Sequence, residues 1–336
     1  MLRPILITGA AGFIGFHVAQ RLLRAGRHVV GVDNLNRYYD PRLKHARLEI
    51  LRASRLFEFA ELDLADRERT AKLFAQFRFP DVIHLAAQAG VRHSIDNPAA
   101  YVDANLQGFG NVLEGCRHHG CGHLLFASSS SVYGLNAKLP FSIHDNADHP
   151  ISLYAATKKA NEAMAHSYSH LYGVPATGLR FFTVYGPWGR PDMAMYIFAK
   201  AIDEGRPIRL FNHGNMRRDF TYIDDVVDAI QKLLGRPPQG NQRWFDDPDP
   251  ATSPAPWKLY NIGNNKSEEL LRIVGLLEKA IGKPAQRELL PMQPGDVLET
   301  YADIDSLSRD IDFRPGTDVE TGVERFAEWY RDYHKS

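Results

Sequence analysis

Cysteine is nearly absent from this sequence, net charge is absent altogether, and no long apolar run interrupts it. The 336 residues include 2 cysteines, 40 basic and 40 acidic side chains. Because the charges cancel, no global field draws nucleic acid or anionic lipid to the chain, and a charged ligand must be held by local groups. No stretch reaches the roughly 18 consecutive apolar residues that a membrane-spanning helix needs. An apolar strand begins by Ile5-Leu6-Ile7, which leaves no room after Met1 for a signal or transit peptide, so the expected compartment is the cytoplasm. The run Cys116-Arg117-His118-His119-Gly120-Cys121-Gly122-His123 has the residue types of a metal cluster. It ends a helical pattern and leads into the strand Leu124-Leu125-Phe126, so its side chains diverge and no metal is expected.

What is present is an alternation of short apolar runs with helical periods, the pattern of parallel strands joined by crossover helices. Strands are expected at Ile5–Thr8, Val29–Val32, Leu56–Phe59, Val82–Leu85, His123–Ala127 and Ala176–Phe181, with helices near 13–25, 66–78, 98–119 and 153–172. The expected fold class is α/β, a doubly wound parallel sheet of Rossmann type with a smaller, mixed C-terminal lobe. A chain longer than roughly 250–300 residues tends to divide its core. The expected division is a dinucleotide-binding domain over 1–182, to which parts of about 220–235 and 258–264 return, and a substrate lobe over 183–336. Helices are expected in that lobe near 193–204, 224–235, 267–281 and 319–334, and the proline-rich segment 236–256 reads as an extended surface loop.

Doubly wound sheets bind ligands beyond the carboxyl ends of their strands, so the residues that follow strands carry the functional reading. The first strand runs into Gly9-Ala10-Ala11-Gly12-Phe13-Ile14-Gly15 and then a helix, which places glycines and free helix N–H groups where a pyrophosphate would sit. Asp33 and Asn34 follow the second strand, where a carboxylate would accept from adenosine ribose hydroxyls and repel a 2′-phosphate. NAD is therefore expected over NADP. Asp63 and Leu64 follow the third strand, and Asp63 suits either an adenine border or a helix cap. Leu85, Ala86 and Ala87 are small and apolar, suited to packing against a cofactor.

After the fifth strand comes Ser128-Ser129-Ser130-Ser131, and the next helix opens with Tyr154-Ala155-Ala156-Thr157-Lys158. Tyrosine and lysine four apart share a helical face, where an ammonium and a nicotinamide cation favour phenolate and make Tyr154 a candidate base.

In this order the Gly9–Gly15 turn, Asp33, Leu85-Ala86-Ala87, Ser131-Val132-Tyr133-Gly134 and Tyr154-xxx-Lys158 resemble the extended short-chain dehydrogenase/reductase superfamily. Longer strings look specifically like UDP-glucuronate 4-epimerases: Asn34–Asp40, Ala87–Arg92, Arg180–Asp192 and Arg217–Asp225. The resemblance implies an NAD-dependent isomerase, with NAD tightly bound and regenerated each turnover. It would act on UDP-glucuronate and form UDP-galacturonate through a 4-keto sugar. The resemblance also implies that Ser129 bonds the sugar 4-oxygen, Tyr154 is the base and Lys158 holds the nicotinamide ribose. Substrate contacts would come from Arg92, Ser129, Ser130 and Ser131, with Thr183 and Arg190 on the glucuronate carboxylate, Arg218 on the diphosphate and Asp296 on the nucleotide ribose. Gln293 stands where such relatives often carry an arginine.

The run Ser129-Ser130-Ser131 offers no carboxylate for the elimination that 4,6-dehydratases perform, nor the glutamate of UDP-glucuronate decarboxylases. Rival readings are a 4-epimerase of a neutral UDP-hexose or UDP-N-acetylhexosamine, a decarboxylase, and a non-catalytic NAD-sensing protein. The resemblance also implies a homodimer, packed through the segments near 98–119 and 153–172. Leu106, Phe109, Leu113, Met164 and Leu171 would supply its apolar surface.

Overall fold

The computed structural model describes residues 3–293 and 297–335. Twelve strands are named in chain order: β1 (Ile5–Thr8), β2 (Val29–Asp33), β3 (Phe57–Glu61), β4 (Asp81–His84), β5 (His123–Ser129), β6 (Ala176–Phe181), β7 (Thr183–Tyr185), β8 (Ile208–Leu210), β9 (Arg217–Tyr222), β10 (Trp257–Ile262), β11 (Ser267–Glu269) and β12 (Arg287–Leu289). Among the described residues, 3–137, 142–181 and 227–261 form one compact unit, and 138–141, 182–226, 262–293 and 297–335 form the other.

The first unit is built on a seven-stranded sheet in the order β10-β6-β5-β4-β1-β2-β3. Strand β1 pairs in parallel with both β2 and β4. Strand order therefore reverses between β1 and β4, and the loops that follow those two strands flank the crevice where such sheets bind ligands. Ile5, Leu6 and Ile7 are fully buried because helices cover both faces, which is why β1 reads as a continuous apolar run rather than an alternation.

Helices at Phe13–Arg24, Arg67–Phe77, Gly108–His119 and Leu153–Tyr172 lie where periodicity places them. The helix expected near 98–119 is broken, with Pro98–Tyr101 followed by a π-helical stretch at Val102–Gln107. A further helix, Pro41–Arg52, has no counterpart in the periodic pattern, because its buried face carries Lys44 and Arg47 among Leu43, Leu48 and Leu51. It starts where Asp40 accepts from the Arg42 amide at 2.9 Å, with proline in the first turn.

Phe109 and Leu113 are fully buried in the apolar core together with Cys116, so they do not supply intersubunit surface as the sequence reading supposed. Leu106 and Met164 are half-buried and Leu171 is exposed. Both cysteines are buried thiols. Residues 236–256 form a loop without helix or strand, with turns at 242–246 and 250–251; the Asn241 amide donates to Ser253 O at 2.8 Å, and Ala251 is fully buried.

In the second unit, β7 runs parallel to β9, β11 runs antiparallel to it, and β8 pairs in parallel with β12. Its helices are Ala194–Asp203, Leu270–Ile281, Asp305–Ile311 and Val319–Lys335, with Ile223–Leu234 passing from one unit to the other. No helix among the described residues is long and apolar enough to cross a membrane.

Candidate active site

The turn after β1 is crowded by its own backbone. Gly9 has φ +71°, and a Cβ there would lie 2.8 Å from Ala86 N and 2.9 Å from the Leu85 carbonyl carbon. A Cβ on Gly15 would lie 2.1 Å from Gly9 O. Gly12 is the N-cap of helix Phe13–Arg24 and makes no side-chain cap. The first amides of that helix therefore point outward with the positive end of its dipole, which fits a bound pyrophosphate. Phe13 is buried and Ile14 half-buried in the first turn.

Asp33 ends β2 with its carboxylate fixed on three sides: Ala11 N donates at 3.2 Å, Leu35 N at 2.9 Å, and Lys44 Nζ lies 3.4 Å away. This anchoring fits a ribose-binding carboxylate. Asn34 Nδ2 donates to Asp63 at 3.0 Å, and Asp63 also accepts from Ala65 N. The cap of the following helix is Asp66, which accepts from Arg69 N, so Asp63 has no capping role. The Leu64 side chain belongs to the core.

Leu85, Ala86 and Ala87 are half-buried beyond β4, where Thr8 Oγ1 receives the Ala86 amide at 3.1 Å and meets His84 Nδ1 at 2.9 Å. Burial, with the Lys158 charge adding to it, lowers the His84 pKa to about 3, so this ring is neutral.

Ser152 caps helix Leu153–Tyr172 by accepting from Ala155 N at 3.1 Å, which sets Tyr154 in its first turn. Lys158 and Glu162 follow at four-residue steps on the same face. Lys158 is buried, donates to Ala127 O at 2.9 Å, and has its pKa lowered to about 8 by burial. The Tyr154 ring is half-buried and packs edge-on against Tyr101, centroids 6.1 Å apart. Strand β5 ends in two serines with different tasks. Ser128 donates to Glu162 at 2.7 Å, whereas Ser129 Oγ accepts from Ser131 N at 3.2 Å as cap of the turn Ser130–Tyr133. Ser130 and Ser131 are half-buried, and Arg92 is exposed at the start of a short helix.

Three buried devices of this unit were not read from the sequence. Glu162 forms a bidentate pair with Arg180 at 2.8 and 2.9 Å; burial would raise its pKa, and the Arg180 charge with its hydrogen bonds overcomes that and lowers it. The four-residue step from Lys158 was the available signal. Asn105, in the π-helical stretch, accepts from Gln88 N at 2.8 Å and donates to Thr157 at 3.0 Å. Lys44 and Arg47 lie behind the glycine turn, on the helix whose period they disguise.

In the second unit, Thr183 opens β7 and is half-buried. Arg190, in the loop after β7, directs Nε and Nη2 to the two oxygens of Asp192. A ligand carboxylate must share or replace that partner. Arg218, in β9, donates to the backbone oxygens of Arg217 at 2.8 Å and Leu298 at 3.0 Å. Asp296 lies outside the described residues. Asp219 was also missed. It is fully buried and accepts from the amides of Asn264 and Ala302; burial raises its pKa to about 6, against those hydrogen bonds.

The sequence model of the NAD dependent epimerase/dehydratase family matches residues 5–245. A probable UDP-glucuronate 4-epimerase of Rhizobium meliloti is 52% identical over 328 residues, covering 97% of this chain and 96% of its own. The crystal structure of UDP-glucuronic acid 4-epimerase from Bacillus cereus, in complex with UDP-glucuronic acid and NAD, is similar with TM-score 0.88 and 32% identity, covering 98% of this chain and 99% of that one. The UDP-glucose 4-epimerase of Thermotoga maritima with UDP-glucose reaches TM-score 0.85 at 28% identity, with the same coverage.

Proposed function

The chain belongs to the NAD-dependent epimerase/dehydratase family, and from that premise we propose that it interconverts UDP-glucuronate and UDP-galacturonate by inverting C4 of the sugar. The observation that carries this reading is the buried Lys158 ammonium one helical turn from Tyr154, beside a strand end whose serine run contains no carboxylate. NAD, when bound, supplies a two-electron acceptor that takes one hydride from C4 and gives it back.

The chain's residues handle the proton and the pose. Tyr154 receives the proton of the 4-hydroxyl as the C4–H electrons leave, which produces the 4-keto sugar. Lys158 places a positive charge near Tyr154, which favours the phenolate that must exist before this proton transfer. Ser129 donates to the 4-oxygen. After the sugar turns, Tyr154 returns the proton as hydride arrives on the opposite face. With no acid following Ser129, the chemistry stops there.

The substrate contacts are part of the same proposal. Thr183 and Arg190 receive the sugar carboxylate, because a planar guanidinium matches two carboxylate oxygens. Arg218 serves the diphosphate, Asp296 the nucleotide ribose, and Arg92, Ser130 and Ser131 the sugar. Gly9, Gly12, Phe13, Ile14, Gly15, Asp33, Asn34, Asp63, Leu64, Leu85, Ala86 and Ala87 line the cofactor, which stays bound between turnovers. A homodimer and a cytoplasmic location complete the proposal. The Arg190–Asp192 pair favours one second reading, in which the loop takes no ligand carboxylate and the substrate is a neutral UDP-hexose.

Incubating the purified protein with UDP-glucuronate, and separately with UDP-glucose, and identifying the products by NMR decides between them. UDP-galacturonate from the first and little change in the second is the expected result. Turnover of UDP-glucose alone overturns the uronate assignment.

A further inference from the structure

Helix Pro41–Arg52 carries two cations into the interior beside the glycine turn. Arg47 is fully buried and donates from Nη1 to Ala11 O at 2.8 Å and to Tyr39 Oη at 2.9 Å, so it fastens the backbone of the turn itself. Lys44 is only 5% exposed; its Nζ donates to Asn36 Oδ1 at 3.1 Å, lies 3.4 Å from Asp33 Oδ1, and faces the Tyr39 ring at 5.2 Å from the centroid. Asp33 is 7% exposed, and its second oxygen is taken by Ala11 N. One of these two buried cations, Lys44, therefore faces the buried carboxylate at the end of β2, while Arg47 ties down the backbone beside it. A charge left without its partner in such surroundings is costly, and an incoming anion relieves that cost.

We propose that Lys44 is a specificity-determining residue of the cofactor site. With Asp33 in place, its ammonium holds the carboxylate where ribose hydroxyls are read. Without Asp33, the same ammonium receives the 2′-phosphate of NADP. A phosphate ester carries a charge of about −1.5 to −2 at neutral pH. Asp33 repels that group and also cancels the cation that would attract it. Selectivity for NAD is thus a property of the pair. The inference rests on assigning Asp33 to the adenosine ribose.

The test incubates each variant with equal concentrations of NAD and NADP, removes free nucleotide by gel filtration, denatures the protein and quantifies what was retained. Wild type retains NAD. Asp33→Ala should raise the retained NADP-to-NAD ratio by at least about ten-fold, the worth of one charge-assisted contact. Adding Lys44→Gln to Asp33→Ala should cancel that rise. Asp33→Asn, whose single side-chain oxygen keeps one of the two backbone contacts made by Asp33, should reproduce the rise in a protein that retains a side chain of the same shape. A rise that survives Lys44→Gln overturns the proposal, as does weakened NAD retention with no gain of NADP, which leaves the Asp33 assignment standing. If both substitutions at Asp33 leave ratio and retention unchanged, the Asp33 assignment fails and the proposal with it.

Discussion

The Lys158 ammonium donates to the carbonyl of Ala127, two residues before Ser129 on the same strand, so one buried cation fixes helix Leu153–Tyr172 against the end of β5. Burial lowers its pKa from 10.5 to about 8. Below pH 8 the folded and unfolded chains are both protonated, and the full cost of burying the charge is present. Between about 8 and 10.5 only the unfolded chain holds the proton, so stability rises with pH. The unfolding free energy of wild type relative to Lys158→Met should therefore improve, by on the order of 3 kcal/mol, across that window. Chemical denaturation of both proteins at several pH values measures it. A flat difference would show that the ammonium is not desolvated.

Tyr154→Phe removes one hydroxyl from a half-buried ring and leaves its packing against Tyr101. Turnover of UDP-glucuronate should fall by at least ~10²-fold, the usual worth of a general base. The denatured variant should still release NAD as wild type does. Near-normal turnover would mean that another group takes the proton, and recovery of NADP from either protein would overturn the cofactor assignment.

If Arg190 grips the sugar carboxylate as proposed, it bears on the outcome of the reaction as well as on binding. The 4-keto form of glucuronate is a β-keto acid and loses CO₂ when its C5–carboxylate bond aligns with the carbonyl π system. A guanidinium that grips the carboxylate holds that bond out of alignment. Losing a charge-assisted contact costs about 1.5–3 kcal/mol, roughly ten- to more than a hundred-fold in kcat/KM. Arg190→Ala should lose that much on UDP-glucuronate, lose less on UDP-glucose, and release CO₂ with a UDP-4-keto-pentose. Equal losses on both substrates, without decarboxylation, would place Arg190 on the shared nucleotide.

The proposed dimer has less apolar surface at its disposal than the sequence suggested. With Phe109 and Leu113 inside the core, a contact through the segments near 98–119 and 153–172 draws on Leu106, Met164 and Leu171. Light scattering at micromolar protein should give twice the mass of the 37.9 kDa chain, and Leu171→Glu should lower it. A monomeric wild type ends the proposal.

Much of the sheet was legible because strands such as β1 and β2 are buried along their length and write themselves as apolar runs; β1 and β6 fall at the expected residues, while β10 was not expected as a strand. Helix Pro41–Arg52 was not, since Lys44 and Arg47 stand where apolar residues mark a buried face. Strands β7, β8, β11 and β12 have three residues each, too few to show an alternation. At the candidate site, motif spacing pointed to the run Ser128–Ser131 and to the Tyr154–Lys158 pair, and the resemblance singled out Ser129. It did not reach the pairing of Arg190 with Asp192, which depends on how one loop folds and leaves no periodic trace. Nor did it find Asp219, whose partners lie far along the chain.

The glycines of the first turn have a consequence for reading other genomes. Gly9 is pressed against Leu85 and Ala86, and Gly15 against Gly9 O, by the protein's own backbone, before any ligand is considered. A descendant of such a chain that had abandoned the dinucleotide would still be obliged to keep them. The pattern would persist as a fossil of the fold, silent about whether the site still works. Lys158 is different, because it holds an ammonium in a buried place where desolvation opposes its charge. Drift would erase it first once the chemistry lapsed, so it is the residue by which a living site can be told from a relic.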